Sequence, residues 1–224
     1  MGLRELKKQQ TRQNISHQAT RLFLRHGFDQ VTIADVAAAA QVAKMTVTNY
    51  FPRKEELALD LHEAVVALLA RTVAERAPGE SALTALRRTF LTAVAKHDTV
   101  SGSSDPFRGV WGVLRLHKTG PAFAQMITAS PALVARLREF HEEREGALAA
   151  VLAAETGAAP GDLLPQLVAA QFGGVHRVLF HETLRRTLNG QHHEEITAAL
   201  TEVGREAFDL LEPALADYAV RPAP

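Results

Sequence analysis

Cysteine is absent from the 224 residues, and no apolar run approaches the roughly 20 residues that a membrane-spanning helix needs. Without cysteine, disulfides, thiolate catalysis and cysteine-ligated zinc are excluded. Four of the first eight residues are charged, so the N-terminus lacks the apolar core of a signal peptide. The 46% hydrophobic and 22% charged content is ordinary for a soluble globular protein. We therefore expect a cytoplasmic protein with no membrane segment.

A net charge of either sign is also lacking, because 25 basic and 25 acidic side chains cancel. The balance is nevertheless uneven along the chain. Residues 1–54 carry nine Lys and Arg against three Asp and Glu, a net charge of +6, and the remainder carries −6. A basic head on an acidic body is expected when one end of a protein meets phosphates. A chance fluctuation of surface charge gives the same numbers, so charge alone leaves both interpretations open.

The apolar spacing predicts an all-α fold of about nine helices, because steps of three and four recur and alternation of period two does not. The first helix is predicted over residues 4–26 and ends before Gly27. Thr32 is expected to cap the second helix, with Asp35 in the position of a capping-box acid.

One continuous helix is predicted after Pro52, over residues 54–76, and would connect the two halves of the chain rigidly. Ser130 is expected to cap a later helix that has Pro131 in its first turn. Clusters of Gly, Pro, Ser, Asp and Asn predict further breaks at residues 77–80, 98–106, 119–121, 157–162 and 189–190.

Residues 32–51 predict two short helices joined by a tight turn, the pattern of a helix-turn-helix whose second helix lies in the major groove of DNA. Val47 and Phe51 share one face of that second helix and are expected to pack on the first. The candidate DNA-binding residues, of types that reach base edges or phosphates, are Thr32, Lys44, Met45, Thr46, Thr48, Asn49, Tyr50 and Lys54. A plain helical hairpin or a protein-interaction surface would carry a similar pattern.

The specific residues between 12 and 57 resemble the N-terminal domain of the tetracycline-repressor (TetR) family of transcriptional regulators. The matching residues are Arg12, Ile15, Ala19, Leu22, Phe23, Gly27, Phe28, Val31, Thr32, Ile33, Asp35, Val36, Ala37, Ala40, Val42, Thr46, Val47, Asn49, Tyr50, Phe51, Lys54, Glu55, Glu56 and Leu57. The chain departs from the family at Gln41, commonly Gly, and at Ala43, commonly Ser. A left-handed Gln41 costs about 1 kcal/mol, which a packed unit tolerates.

The resemblance implies a homodimeric repressor that leaves its operator when a small-molecule effector binds the rear domain. Dimerisation also follows from size, because one short helix-turn-helix makes too few contacts to select a genomic site. Two such helices read half-sites about 34–36 Å apart, so we expect a palindromic double-stranded operator. The predicted domains are a DNA-binding domain at residues 9–69 and a helical ligand-binding and dimerisation domain at residues 70–224.

Two apolar stripes near the C-terminus predict the dimer interface, an intermolecular four-helix bundle. The stripe residues chosen are Leu164, Val168, Val175, Leu179, Ile196, Leu200, Val203 and Leu210. The alternative is that both stripes pack on their own subunit. Candidates for the effector site are Phe90, Arg108, Trp111, Arg115, Phe123, Phe140, Phe172 and His176, with the arginines available for an anionic end. Their alternative role is in an ordinary core.

Ten histidines suggest, as an alternative, an all-helical enzyme or metalloprotein. The chain contains neither His-Glu-x-x-His nor Glu-x-x-His, the spacings that bring zinc or di-iron ligands together on helices. It also lacks a Gly-x-Ser-x-Gly elbow and a phosphate-binding glycine loop. We therefore predict no catalytic residues, no metal and no cofactor. A non-specific architectural DNA-binding protein is the second alternative, and the acidic rear half argues against it.

Overall fold

Helices account for nearly all of the regular structure in the computed structural model, which describes residues 2–59, 66–96 and 116–223. These residues form ten helices and no strand, so the predicted all-α class is confirmed. The helices are α1 (Leu3–His26), α2 (Ile33–Ala40), α3 (Lys44–Tyr50), α4 (Lys54–Leu59), α5 (Leu68–Ala74), α6 (Ala82–Lys96), α7 (Leu116–Ala129), α8 (Pro131–Thr156), α9 (Leu164–Leu188) and α10 (His193–Leu215). In these ranges no helix is long and apolar enough to cross a bilayer.

The first four helices pack around a shared apolar core. Phe23 of α1, Val36 of α2, Val47 of α3 and Leu57 of α4 are each at most 1% exposed. Gly27 ends α1 with a φ of 85°, a conformation that glycine adopts without a Cβ penalty. The predicted end of the first helix is therefore confirmed, and the chain turns there so that α2 can pack across α1.

The single helix predicted over residues 54–76 is interrupted. Ala67 lies in a turn with a ψ of −2°, far from the helical value of about −42°, and α5 starts afresh after it. The prediction of an unbroken helix is therefore wrong at Ala67, and residues 60–65 lie outside the described ranges. After the turn α5 contacts α8 and α6, and its Leu69 and Val73 are buried. This division raises the count from about nine helices to ten within the described residues.

The breaks predicted at residues 77–80, 119–121, 157–162 and 189–190 are confirmed, and the break predicted at residues 98–106 lies outside the described ranges. Gly120 has a φ of 45° and a ψ of −131°, which kinks α7 just before Pro121. Ser130 precedes α8 in the N-cap position, but its hydroxyl makes no cap bond. It donates instead to a carboxylate oxygen of Asp29, 3.0 Å away, in the loop that joins α1 to α2. The expected serine cap is thus wrong in its hydrogen bond, because the hydroxyl ties α8 to the front helices.

Helix α8 is the central element of the rear half. It packs along α9 and α5 and also contacts α4 and α7, while α10 packs on α6 and α9. Helix α1 in turn contacts α7, so the front and rear helices share two sets of contacts. The predicted domain boundary between residues 69 and 70 falls within α5 and stays a prediction.

Candidate nucleic-acid interface and rear-domain site

Local hydrogen bonds fix both ends of α2, including the turn that leads to α3. Thr32 and Asp35 form the expected capping box: the Asp35 N–H donates to the Thr32 hydroxyl oxygen at 3.2 Å, and the Thr32 N–H donates to the Asp35 carboxylate at 2.8 Å. The Thr32 hydroxyl also donates to the Asp35 carboxylate at 2.7 Å, and this bond, followed by the one from the Thr32 N–H, lowers the pKa of Asp35. Gln41 adopts the left-handed conformation with a φ of 57°, and the N–H of Val42 donates to the carbonyl of Ala37. The turn is therefore set independently of any ligand.

Helix α3 has one buried face, and its other side chains are exposed or half-buried. Val47 is fully buried, and Phe51 just after the helix is 1% exposed, so the predicted packing face is confirmed. Met45 is 70% exposed although it is apolar. Of the candidate DNA-binding side chains, the structure exposes Thr32, Lys44, Met45 and Asn49 and half-buries Thr46, Thr48, Tyr50 and Lys54. Seven of these eight residues lie on α3 or at the start of α4, and Thr32 lies at the start of α2.

Two side chains of α1 hold the helix-turn-helix in place. The Arg12 guanidinium donates to the carbonyl of Tyr50 at 2.9 Å and lies 4.2 Å from the centre of the Phe51 ring. The Asn14 side-chain amide donates to the carbonyl of Ala40 at 3.0 Å. Sequence reasoning did not include either residue among the site residues, because their partners lie 38 and 26 positions away. They orient α3 by satisfying the carbonyls at the ends of α3 and α2.

The two cations at the start of α4 have partners within the protein. The Lys54 ammonium lies 4.3 Å from the centre of the Phe28 ring, a cation–π contact. Arg53 forms a two-pronged ion pair with Glu139 of α8, with nitrogen–oxygen distances of 2.6 and 3.4 Å. The hydrogen bond from Arg53 lowers the pKa of Glu139. This pair connects the front helices to the central helix of the rear half.

The candidate effector residues that the structure describes are buried. These are Phe90, Phe123, Phe140, Phe172 and His176, whereas Arg108, Trp111 and Arg115 lie outside the described ranges. The Phe90 and His176 rings meet edge to face with their centres 5.8 Å apart. Gly204 of α10 admits the Phe90 ring so closely that an added Cβ would lie 2.2 Å from a ring carbon. In the described ranges no group of three or more acidic or histidine side chains is placed to hold a metal.

The candidate dimer residues divide between the core and the surface. Val168, Leu179, Ile196 and Leu200 are buried within the chain itself, and Val175 is half-buried. Leu164, Val203 and Leu210 are exposed. Sequence reasoning missed three more exposed apolar residues of α9 and its start, Leu163, Leu167 and Val178. An apolar stripe on a single chain does not reveal which of its two edges faces inward.

Comparison with known proteins identifies the family. The family described as "Bacterial regulatory proteins, tetR family" matches residues 15–61, and the MftR C-terminal domain family of tetR-type regulators matches residues 121–216. The regulator TcmR of Streptomyces glaucescens is 29% identical over 96% of this chain and 88% of its own length.

Solved structures agree in fold. Two crystal structures of NalD from Pseudomonas aeruginosa, the secondary repressor of the MexAB-OprM multidrug efflux pump, superpose with TM-scores of 0.50 and 0.51 at 18% and 19% identity. They cover 90% and 89% of this chain and 96% and 97% of NalD. With its helix-turn-helix, its helical rear half and both matched regions, the chain belongs to the TetR family of transcriptional regulators.

Proposed function

We propose that the protein is a cytoplasmic homodimeric repressor that binds a palindromic operator through α3 and leaves it when an effector binds the rear domain. The observation that carries the proposal is the surface of α3. Its one buried face anchors it, whereas Lys44, Met45 and Asn49 are exposed, although Met45 is apolar. The relatives support repression, because TcmR is a named transcriptional regulator and NalD a named repressor. Catalysis has no place in the proposal.

The chemistry of α3 suits direct reading of base edges. The Asn49 amide is able to bond adenine at two atoms, and the methyl groups of Thr46 and Met45 suit the methyl of thymine. Lys44 and Tyr50 suit phosphates, which fix register and not sequence. The Thr48 hydroxyl already donates to the carbonyl of Met45 at 3.1 Å, which leaves its methyl group for an apolar contact. Thr32 and Lys54 complete the proposed DNA face beside α3.

The proposed dimer interface is the exposed apolar surface of α9 and α10. On α9, Leu164, Leu167 and Val178 follow helical spacing, and on α10, Val203 and Leu210 are two turns apart. Two helices from each subunit would bury these side chains in a four-helix bundle. The buried residues of the two predicted stripes would pack beneath this interface within each subunit; they are Val168, Leu179, Ile196 and Leu200.

Release by an effector requires a connection between the rear domain and α3. Among the described residues, two polar contacts cross from front to rear, Arg53 with Glu139 and Asp29 with Ser130, and both rear partners lie on or beside α8. A small shift of α8 would therefore move the DNA-binding domains of the two subunits relative to the DNA grooves. A 10- to 100-fold weakening of operator binding requires a preference of only ~1.4–2.8 kcal/mol for the non-binding state.

Selection of bound fragments from genomic DNA, followed by footprinting, tests the proposal. We expect one recurring palindrome, protected by the wild-type protein and by the control Arg138→Ala, which removes an exposed cation of α8. Protection that survives simultaneous replacement of Met45, Thr46 and Asn49 by alanine would contradict the assignment of α3. A broad screen in which no compound changes operator affinity would remove the release step and leave DNA binding intact.

A further inference from the structure

Helix α8 carries cationic and histidine side chains on the face that it turns to the core. The buried residues of α8 are Leu133, Arg136, Leu137, Phe140, His141, Arg144, Leu148 and Leu152, which follow one helical stripe. The positive charge of Arg136 is compensated by an ion pair, because its guanidinium lies 2.8 Å from a carboxylate oxygen of Glu143. Arg144 is the arginine of the stripe that forms no ion pair with a described residue, and two of its three guanidinium nitrogens are buried without a hydrogen-bond partner there.

The Arg144 guanidinium is buried and only partly satisfied. The residue is 3% exposed, and its Nε and Nη2 atoms have no hydrogen-bond partner in the part of the chain that the structure describes. The adjacent carboxylate, that of Glu145, is directed elsewhere: it pairs with Arg177 at 3.2 Å and lies over Gly173. The Phe140 ring forms a cation–π contact with it, with 5.2 Å between the guanidinium carbon and the ring centre. Burial lowers the pKa of Arg144 to about 10, so it stays charged at neutral pH.

Two buried histidines lie close to this cation. Neither ring nitrogen of His176 on α9, nor Nε2 of His141 on α8, has a partner among the described residues. Burial, with the charge of Arg144 as the next cause, lowers the pKa of His176 to about 3 and that of His141 to about 4. Both rings are therefore neutral at pH 7, and each offers one N–H donor. Aromatic rings surround them, Phe90 beside His176 and Phe180 beside His141.

We propose that Arg144, His141 and His176, the Arg144 cluster, bind the carboxylate of the effector, an organic acid whose apolar body lies against Phe90 and Phe140. A buried charge with unmade hydrogen bonds is costly, and a carboxylate removes that cost, since the planar guanidinium fork matches its two oxygens. The neutral imidazoles add donors without adding charge. The inference rests on the proposed function only in that the rear domain receives an effector.

The position of the cluster also suits it to release. Glu139, which pairs with Arg53 of the front half, precedes Arg144 by five residues on α8, about 7.5 Å along the helix. An anion that draws the Arg144 guanidinium toward itself pulls on the same helix that holds the front half. The Arg144 cluster and the bridge to the front helices are thus parts of one rigid element.

Calorimetric titration of the full-length protein without DNA tests the inference. The probes are naphthoate, phenylbutyrate and decanoate, each compared with its primary amide. We expect at least one acid to bind about 10-fold or more tightly than its amide, and Arg144→Met to remove that preference. Arg138→Met, an exposed arginine of the same helix, is the matched control and keeps the preference. Arg144→Gln, which keeps hydrogen-bond donors without the charge, is expected to reduce the preference as well.

The ligand-free protein provides a second readout. If the guanidinium lacks an anionic partner, Arg144→Met leaves the melting temperature unchanged or raises it, because an isosteric apolar side chain replaces an uncompensated charge. A large fall in melting temperature means that the chain itself pairs Arg144, and it overturns the inference. Equal affinity for acid and amide, or binding of neither by the wild type, overturns it as well. Operator binding is measured separately, so failure here leaves the proposed repressor untouched.

Discussion

Arg53 and Glu139 join the front and rear halves of the protein through a paired hydrogen bond, with a shortest nitrogen–oxygen distance of 2.6 Å. Each side chain is about half exposed, at 47% and 45%. Ion pairs at such exposure contribute little to stability and are screened by salt. The value of this pair lies in its location, because Arg53 directly precedes α4 and Glu139 lies on α8.

A double-mutant cycle with Arg53→Ala and Glu139→Ala measures this coupling. We expect the two changes to be non-additive in melting temperature at low salt and additive at 1 M salt, where the Debye length is about 3 Å. If the pair transmits effector binding, each variant also reduces the ratio of operator affinities with and without effector. Additive effects at every salt concentration, with an unchanged ratio, would show that the pair has no part in coupling.

Thr46 and Lys54 are predicted to contribute to DNA binding in different ways. Thr46→Ala is expected to cost about 1–3 kcal/mol on the operator and nothing on unrelated DNA, because a base contact carries sequence information. Lys54→Ala is expected to weaken binding to all DNA and to reduce the salt slope by about 1. Affinity measurements on operator and scrambled duplexes at several salt concentrations check both. Equal losses on the two duplexes for both variants would favour a non-specific architectural protein.

Leu210 is the most exposed of the candidate dimer residues, at 81%. Leu210→Glu is expected to weaken the dimer about 100-fold or more, because the two-fold axis buries the new charge twice. The control is Leu3→Glu, which replaces a leucine of similar exposure, 70%, at the other end of the chain. Sedimentation over a concentration range distinguishes them. If Leu210→Glu and Leu3→Glu form dimers of equal affinity, the dimer interface does not include Leu210.

Gly204 limits the space beside Phe90, so Gly204→Ala tests the packing of the proposed effector site. The new Cβ would lie 2.2 Å from a Phe90 ring carbon, and the ring must move. Such overpacking costs about 1–3 kcal/mol in the free energy of unfolding. The matched control is Gly146→Ala, where no atom lies within 4 Å, and it is expected to stabilise the protein by about 0.4–1 kcal/mol. Denaturant titration gives both values, and a neutral Gly204→Ala would mean that the ring shifts freely.

The features that the sequence predicted correctly depend on contacts between near neighbours. Thr32 and Asp35 are three residues apart, Val47 and Phe51 four, and both pairs follow directly from helix geometry. The break at Ala67 carried no warning in the sequence, since it lies among good helix formers.

Long-range polar contacts were beyond prediction for a different reason. The Ser130 hydroxyl donates to Asp29, which lies 101 residues away in the sequence, and no spacing pattern of neighbouring residues predicts this contact. Periodicity does place Arg144 on the core stripe, four residues after Phe140 and four before Leu148. Its charge nevertheless argued for the surface, because arginine is rarely buried without a partner. Such conflicts between residue type and position are where binding sites are expected.

Acidification is expected to destabilise the protein through His176 and His141. Their pKa values in the folded protein, about 3 and about 4, lie below the ordinary value of 6.5. Between those values and pH 6.5 the unfolded chain therefore binds more protons than the folded protein does. The free energy of unfolding therefore falls as the pH drops from 6.5 toward 3, by at most about 1.4 kcal/mol per pH unit for each histidine.

His176→Phe removes one of these contributions, and Phe90 still has a ring to contact. Denaturant titrations at pH 7 and pH 4.5 should show a smaller loss for this variant, whereas the exposed control His17→Phe should retain the wild-type loss. Parallel losses in all three proteins would mean that His176 is protonated in the folded state.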